Sequence, residues 1–408
     1  MEEEIIDENS LSISSNNINT KKISYKNKDK TDLLYKIVDI ICVIGNHSKE
    51  AEYIKEISNG NILISGGTDN NIIFYDNKSF NKIKEIKELK EWPNNIYEKI
   101  NKDKDEKSLE LIACYRNEIA FIIIDSDKNK FIIKSKTIKK ISIVTCFEMR
   151  NNSYIISGET GIYHIIDHSN YMEKLTINKI LEGSYMGGIR INKNKIVYTS
   201  NSILPNGSDQ LIFYNFNTKK ISKTIKNYSF SISQNGLSLM ELNENKKILL
   251  CACKKYSSNQ KNGILLVNPD SEERQEISNP FYDTNTFEVL CFCQIFVNKN
   301  NKTYNNFFFV GGFDTENGEG MMKLYKLIYN DKVCNTKIEY ILDIVFENND
   351  DFLGFERPIS SIIQCKNNGN IILSSWDGNI YLLTEPNLDF FVLDYYIKCY
   401  NLRTSIEI

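Results

Sequence analysis

Asn61-Ile62-Leu63-Ile64-Ser65, then Gly67-Thr68-Asp69-Asn70-Asn71, then Ile72-Ile73-Phe74-Tyr75-Asp76: this stretch decides how the chain is read. Two runs of β-branched and aromatic residues flank a short cluster of Gly, Asp and Asn. That is the pattern of two strands joined by a tight turn whose residues visit positive φ. The same strand–turn–strand unit recurs six more times, with second strands at 119–125, 162–167, 211–215, 264–268, 322–326 and 380–384. Measured between the ends of these runs, the repeat is 42 to 58 residues long.

Each unit carries a further apolar run on either side, such as 142–149 and 172–177 around the third, or 289–297 and 337–346 around the sixth. Four strands per unit at a period of roughly 40–50 residues is the spacing of a propeller blade. One such sheet cannot bury both of its faces alone, so the units must pack side by side around a ring. The expectation is an all-β, seven-bladed β-propeller of four-stranded antiparallel blades over 32–408, preceded by a polar tail at 1–31. That tail has too few large apolar groups to offset its ordering entropy and is expected to be disordered. The segment 82–92 has some helical spacing but is read as an outer strand running into a loop. The segment 390–400 is open between an outer strand and a terminal helix.

The stretch 63–76 resembles the core of a WD repeat, with Tyr75-Asp76 in place of Trp-Asp. Upstream, Gly45 and His47 with Ala51 and Ile54 are similar to that family's Gly-His segment. The last repeat shows Gly354-Phe355, then Ile359 and Ile362, then Ser374-Ser375-Trp376-Asp377-Gly378-Asn379-Ile380. The resemblance is good in repeats one and seven, fair in three and loose elsewhere. It implies that His47 pairs with Asp69, with Ser65 and Tyr75 completing a structural network. Where Phe355 replaces His, Asp377 must find another partner, and most blades must be held by packing alone. It also implies that the ends meet in one blade: a strand at 35–43 is expected to join the last repeat and remove open edges.

Lys and Arg total 50 against 53 Asp and Glu, for a formal charge of -3. This balance argues against a nucleic-acid binder, which needs a basic excess. No run of about 20 apolar residues appears, so no membrane span is expected. The acidic start lacks the features of a signal peptide, and ten cysteines then read as reduced, mostly buried thiols in the cytosol or nucleus. The oligomeric state is open.

No cofactor or metal is expected. His164 and His168 lie on an extended segment, where residues four apart do not stack as they do on a helix. Cys251/Cys253 and Cys291/Cys293 read as apolar fillers, because matched Cys-x-x-Cys spacing is missing. The oxygen-rich segment 314–319 lacks the full spacing of a calcium loop, and a solvated turn is the plainer reading. The lysines at 21–30 read as part of a solvated tail.

The inner turns of repeats four, five and six swell, at 201–210, 254–262 and 313–320. Equivalent turns share one face of a ring, and insertions gathered on one face often mark a binding surface. On that face stand Trp376, Phe313 and Arg116, with Arg357 and Phe355 on the connection into the last repeat. Trp and Arg most often carry interface energy. The expected function is therefore a non-enzymatic scaffold or adaptor that binds a peptide or partner domain there. The alternative is a propeller hydrolase using carboxylates at the channel mouth. A phosphoinositide-binding propeller is weakened by the lack of an Arg-Arg pair.

Overall fold

Phe307-Phe308-Phe309-Val310, four consecutive buried apolar residues, lie within the strand Lys302–Asp314. Phe307 and Phe309 pack with Ile362, Leu373 and Leu383, whereas Phe308 and Val310 pack with Leu250 and Ile264. Successive side chains of a strand point to opposite faces. Here both faces meet a neighbouring sheet, so no polar position remains in the run. Stacked blades produce this arrangement.

The computed structural model describes residues 4–5, 35–37 and most of 40–383. Residues 58–59, 88, 90, 100–107, 116–117, 126–129, 139–140, 142, 150–151, 170–172, 201–209, 227, 231–233, 256–261, 272–273, 279–285, 300–301, 331 and 346–354 fall outside the description. The protein is a seven-bladed β-propeller of small antiparallel sheets in chain order. Blades one to four belong to one compact unit, and blades five to seven, with the strand Ile40–Asn46, to another.

In the first unit, blade one comprises Ala51–Ile57, Ile62–Gly67, Ile72–Asp76 and Lys82–Ile86. The segment at 82–92 thus supplies an outer strand, as expected. Blade two runs Asn95–Glu98, Ser108–Cys114, Glu118–Asp125 and Lys130–Thr137. Blade three runs Thr145–Glu148, Ser153–Gly158, Gly161–Asp167 and Leu175–Leu181. Blade four runs Tyr185–Asn192, Lys195–Ser200, Gln210–Asn215 and Lys220–Lys226. The core lies between consecutive sheets: Ile64 and Phe74 of blade one share a cluster with Leu111 and Ile122 of blade two. Phe121 then meets Tyr154 and Ile165, and Phe147 meets Tyr198 and Ile212.

In the second unit, blade five comprises Leu237–Asn243, Lys246–Lys255, Asn262–Val267 and Arg274–Ser278. Blade six is longer: Phe287–Lys299, Lys302–Asp314, Gly320–Asn330 and Lys332–Val345. Blade seven has Ile359–Gln364, Ile371–Ser375 and Asn379–Leu383 from the end of the chain, and its fourth strand is Ile40–Asn46. The pairing is antiparallel, Val43 opposite Tyr381 and Asn46 opposite Asn379.

The strand expected at 35–43 is in fact divided. Tyr35–Ile37 pairs in parallel with the outer strand of blade six, and only Ile40–Asn46 joins blade seven. Glu4–Ile5 pairs with Ile132 and Ile133 at the edge of blade two. The rest of the polar segment 1–31, its lysines at 21–30 included, lies outside the described residues, as do the segment 390–400 and most of the swollen turns at 201–210 and 254–262. Among the described residues no helix is long and apolar enough to cross a membrane.

Candidate functional site

In blade one the turn Asp69 is held from several directions. His47 contacts Asp69 Oδ1 at 2.9 Å through Nδ1 and Ser65 Oγ at 2.8 Å through Nε2, and Ser65 Oγ meets Tyr75 Oη at 3.2 Å. The backbone N–H of Ser48 donates to Asp69 Oδ2 at 2.9 Å, and that of Asn71 to Oδ1 at 3.1 Å. Gly67 makes the approach possible, since a Cβ there would stand 2.7 Å from His47 Nδ1 and 2.8 Å from the Glu50 carbonyl. The Asp69 carboxyl is lowered below its ordinary range. Partial burial is the largest single influence and works the other way, but the His47 contact and the two backbone donors together outweigh it. Burial pushes the Tyr75 phenol up to about 12. This network pins a hairpin.

Blade seven solves the same problem differently. Asp377 accepts from the Tyr381 hydroxyl through Oδ2, and from the Asn379 N–H at 2.8 Å through Oδ1. Asn379 Nδ2 donates to Tyr381 Oη at 3.0 Å, and Asn46 Nδ2 donates to Asn379 Oδ1 at 2.9 Å. Tyr381 is thus the partner that Asp377 finds in place of a histidine.

Phe355, expected on the exposed face, is instead buried. It is 2% exposed, packs its ring 6.0 Å from that of Tyr381, and belongs to the core shared by blades six and seven. An aromatic ring beside a buried apolar cluster gains more from desolvation than from solvent contact. Arg116 lies outside the described residues.

The other three candidates are brought together. The Gly320 N–H donates to the Phe355 carbonyl at 2.7 Å, tying the hairpin turn of blade six to the connection into blade seven. The Trp376 N–H donates to the Pro358 carbonyl at 2.9 Å, and Ser375 Oγ to the Arg357 carbonyl at 3.3 Å, tying that connection to the blade seven turn. The rings of Phe313 and Trp376, both half-buried, lie 6.0 Å apart at 37°. The indole N–H of Trp376 is buried without a hydrogen-bond partner among the described residues. Arg357 and Glu356 are exposed beside them. The oxygen-rich turn of blade six satisfies itself: Asp314 Oδ1 accepts from the Glu316 N–H, and Asn317 Oδ1 accepts from the Glu319 N–H, both at 2.9 Å.

Side chains that sequence reasoning did not single out clamp neighbouring inner strands. Gln294 of blade six accepts from the Glu241 N–H at 2.9 Å and donates to its carbonyl at 3.0 Å. Gln364 of blade seven does the same to Phe296, at 2.7 and 3.2 Å. Arg190 of blade four donates to the Glu148 carbonyl of blade three at 2.9 Å. No local pattern announces such residues, because their partners are backbone groups of another repeat.

The paired cysteines are buried free thiols. Burial raises Cys251 and Cys291 well above the ordinary thiol value and Cys293 to about 12, as for inert filler. Among the described residues no three His, Cys, Asp or Glu side chains converge as a metal would require. His164 has its pKa lowered by burial and by the charge of Lys219. No protein-family model matches the chain, and no curated protein matches its sequence.

Proposed function

We propose that this chain is a WD-repeat-type interaction scaffold, without catalytic activity, that works in the cytosol or nucleus and holds a peptide or partner domain against the Phe313–Trp376–Arg357 face. One observation carries the reading. Three separate turns and connections, at 313–320, 355–358 and 375–378, are hydrogen-bonded into a single platform that presents an aromatic pair beside an exposed arginine. Rigid aromatic anchors next to Arg are the commonest carriers of interface energy. A Trp N–H with no internal partner adds a donor that a ligand carbonyl would satisfy. The resemblance of repeats one and seven to WD repeats, and the His47–Asp69–Ser65–Tyr75 bonds, support the family reading.

The test is quantitative affinity capture with the wild-type protein and a Trp376→Ala, Arg357→Ala variant, each checked for an unchanged melting temperature. Loss of a defined set of partners from the variant supports the proposal. Recovery of the same partners at the same level removes this face from consideration.

A further inference from the structure

A cleft of about 720 Å³ lies between blades three and four, and none of Phe313, Arg357 and Trp376 lines it. Its buried members include Ile155 and Tyr214, which form an apolar floor. Phe216 is half-buried, with its ring 5.4 Å from that of Tyr214 in an edge-on arrangement. The rim comes from two hairpin turns, tied together by the Phe216 N–H donating to the Asn194 carbonyl at 2.8 Å, and it carries the exposed Lys193 and Lys219. On its wall stands Arg190, whose guanidinium is fixed by the Glu148 carbonyl at 2.9 Å and the Asn192 carbonyl at 3.3 Å.

The charge of this lining is one-sided. Arg190, Lys193 and Lys219 converge on it together with His164, and among the described residues no lining side chain is a carboxylate, although acidic residues outnumber basic ones in the chain as a whole, 53 to 50. Turn lysines alone would be ordinary solvated surface. Here two of them overhang a concavity with a preset arginine in its wall, and none of the three is ion-paired among the described residues. Glu148, the carboxylate that acts on Arg190 among the described residues, is itself buried and outside the lining. Low-dielectric walls strengthen such a field. The volume is in the range that holds small ligands rather than folded partners.

We propose that this cleft binds a small organic phosphate of mononucleotide size, with the phosphate on Arg190, Lys193 and Lys219 and the ring against Phe216 and Tyr214. A planar guanidinium pairs with phosphate oxygens in a fork, and the lysines add point charges. The side-chain amides of Asn178, Asn194 and Asn217 and the imidazole of His164 in the lining suit the polar edge of a heterocycle.

The experiment is calorimetric titration of the full chain with adenosine monophosphate, ribose 5-phosphate and adenosine. It is repeated on a Lys193→Glu, Lys219→Asn variant whose melting temperature matches wild type. Asparagine is chosen because Lys219 sits at φ 54°, a left-handed conformation that Asn tolerates. The monophosphate should bind, ribose 5-phosphate more weakly, and adenosine at least roughly tenfold more weakly than the monophosphate. The variant should lose at least roughly tenfold for both phosphates. Absence of binding at millimolar monophosphate, equal affinity for adenosine, or unchanged affinity in the variant each overturns the proposal. None of these outcomes bears on the Trp376 platform.

Discussion

The side-chain amide of Gln364 closes on both backbone groups of Phe296, accepting from its N–H at 2.7 Å and donating to its carbonyl at 3.2 Å. One amide therefore extends strand-like pairing from blade seven onto the inner strand of blade six, at a residue that the register of blade six skips. Gln294 repeats the device on Glu241 of blade five.

Gln364→Leu should cost about 1–2 kcal/mol, the sum of two net hydrogen bonds at a partly solvated site. Gln364→Glu keeps the acceptor but loses the donor, so its loss should fall between Leu and wild type at neutral pH. Urea denaturation midpoints for the three proteins provide the measurement.

The Asp69 contacts predict a pH dependence. Its folded pKa is lowered, so its contribution is complete above the unfolded carboxyl pKa of about 3.9 and disappears as pH falls through the folded value. Asp69→Asn should therefore be clearly less stable than wild type near pH 7. The gap should narrow as both proteins are taken below about pH 4. Stability curves across that range, with equal gaps at every pH as the contrary result, decide it.

Tyr381→Phe removes the hydroxyl that donates to Asp377 while keeping the ring against Phe355. The expected loss is about 1–2 kcal/mol, somewhat more than a neutral bond because the acceptor is charged. Phe355→Ala should cost more, about 3–5 kcal/mol, as a core deletion. Both are read from thermal melts, and the order of the two is the prediction.

Gly311 faces a crowded junction, where a Cβ would meet Cys291 Sγ at 2.7 Å and Ile362 Cδ1 at 2.8 Å. Gly311→Ala should destabilise by about 1–3 kcal/mol through overpacking. Adding Cys291→Ala should recover part of that loss, giving a non-additive double-mutant cycle. Strict additivity would mean that the two sites do not press on each other.

The strand pairs were legible in the sequence because two constraints coincide. Ile72–Asp76 and Asn379–Leu383 must be apolar on both faces, and their turns must hold Asp, Asn or Gly at positive φ, as Asn70 and Gly378 do. The direction of Phe355 was not legible. Its place on a connection suggested exposure, but Tyr381, far along the chain, supplies the ring that draws it inward. The split between Tyr35–Ile37 and Ile40–Asn46 was equally hidden, since both edges offer unpaired backbone and local composition does not choose between them. Nothing local in the sequence marks Arg190; its place in the cleft wall comes from the packing of blade four against blade three.

The pairing of Ile40–Asn46 with Asn379–Leu383 imposes an order on biosynthesis. A growing polypeptide releases the early strand from the ribosome long before its mate is translated, so an apolar edge must wait without its hydrogen bonds while six sheets assemble. Such long-delayed contacts slow folding and leave surface for chaperones to guard. A chain halted before residue 379 would carry that edge permanently, and the quality-control machinery would meet it as an unfinished seam.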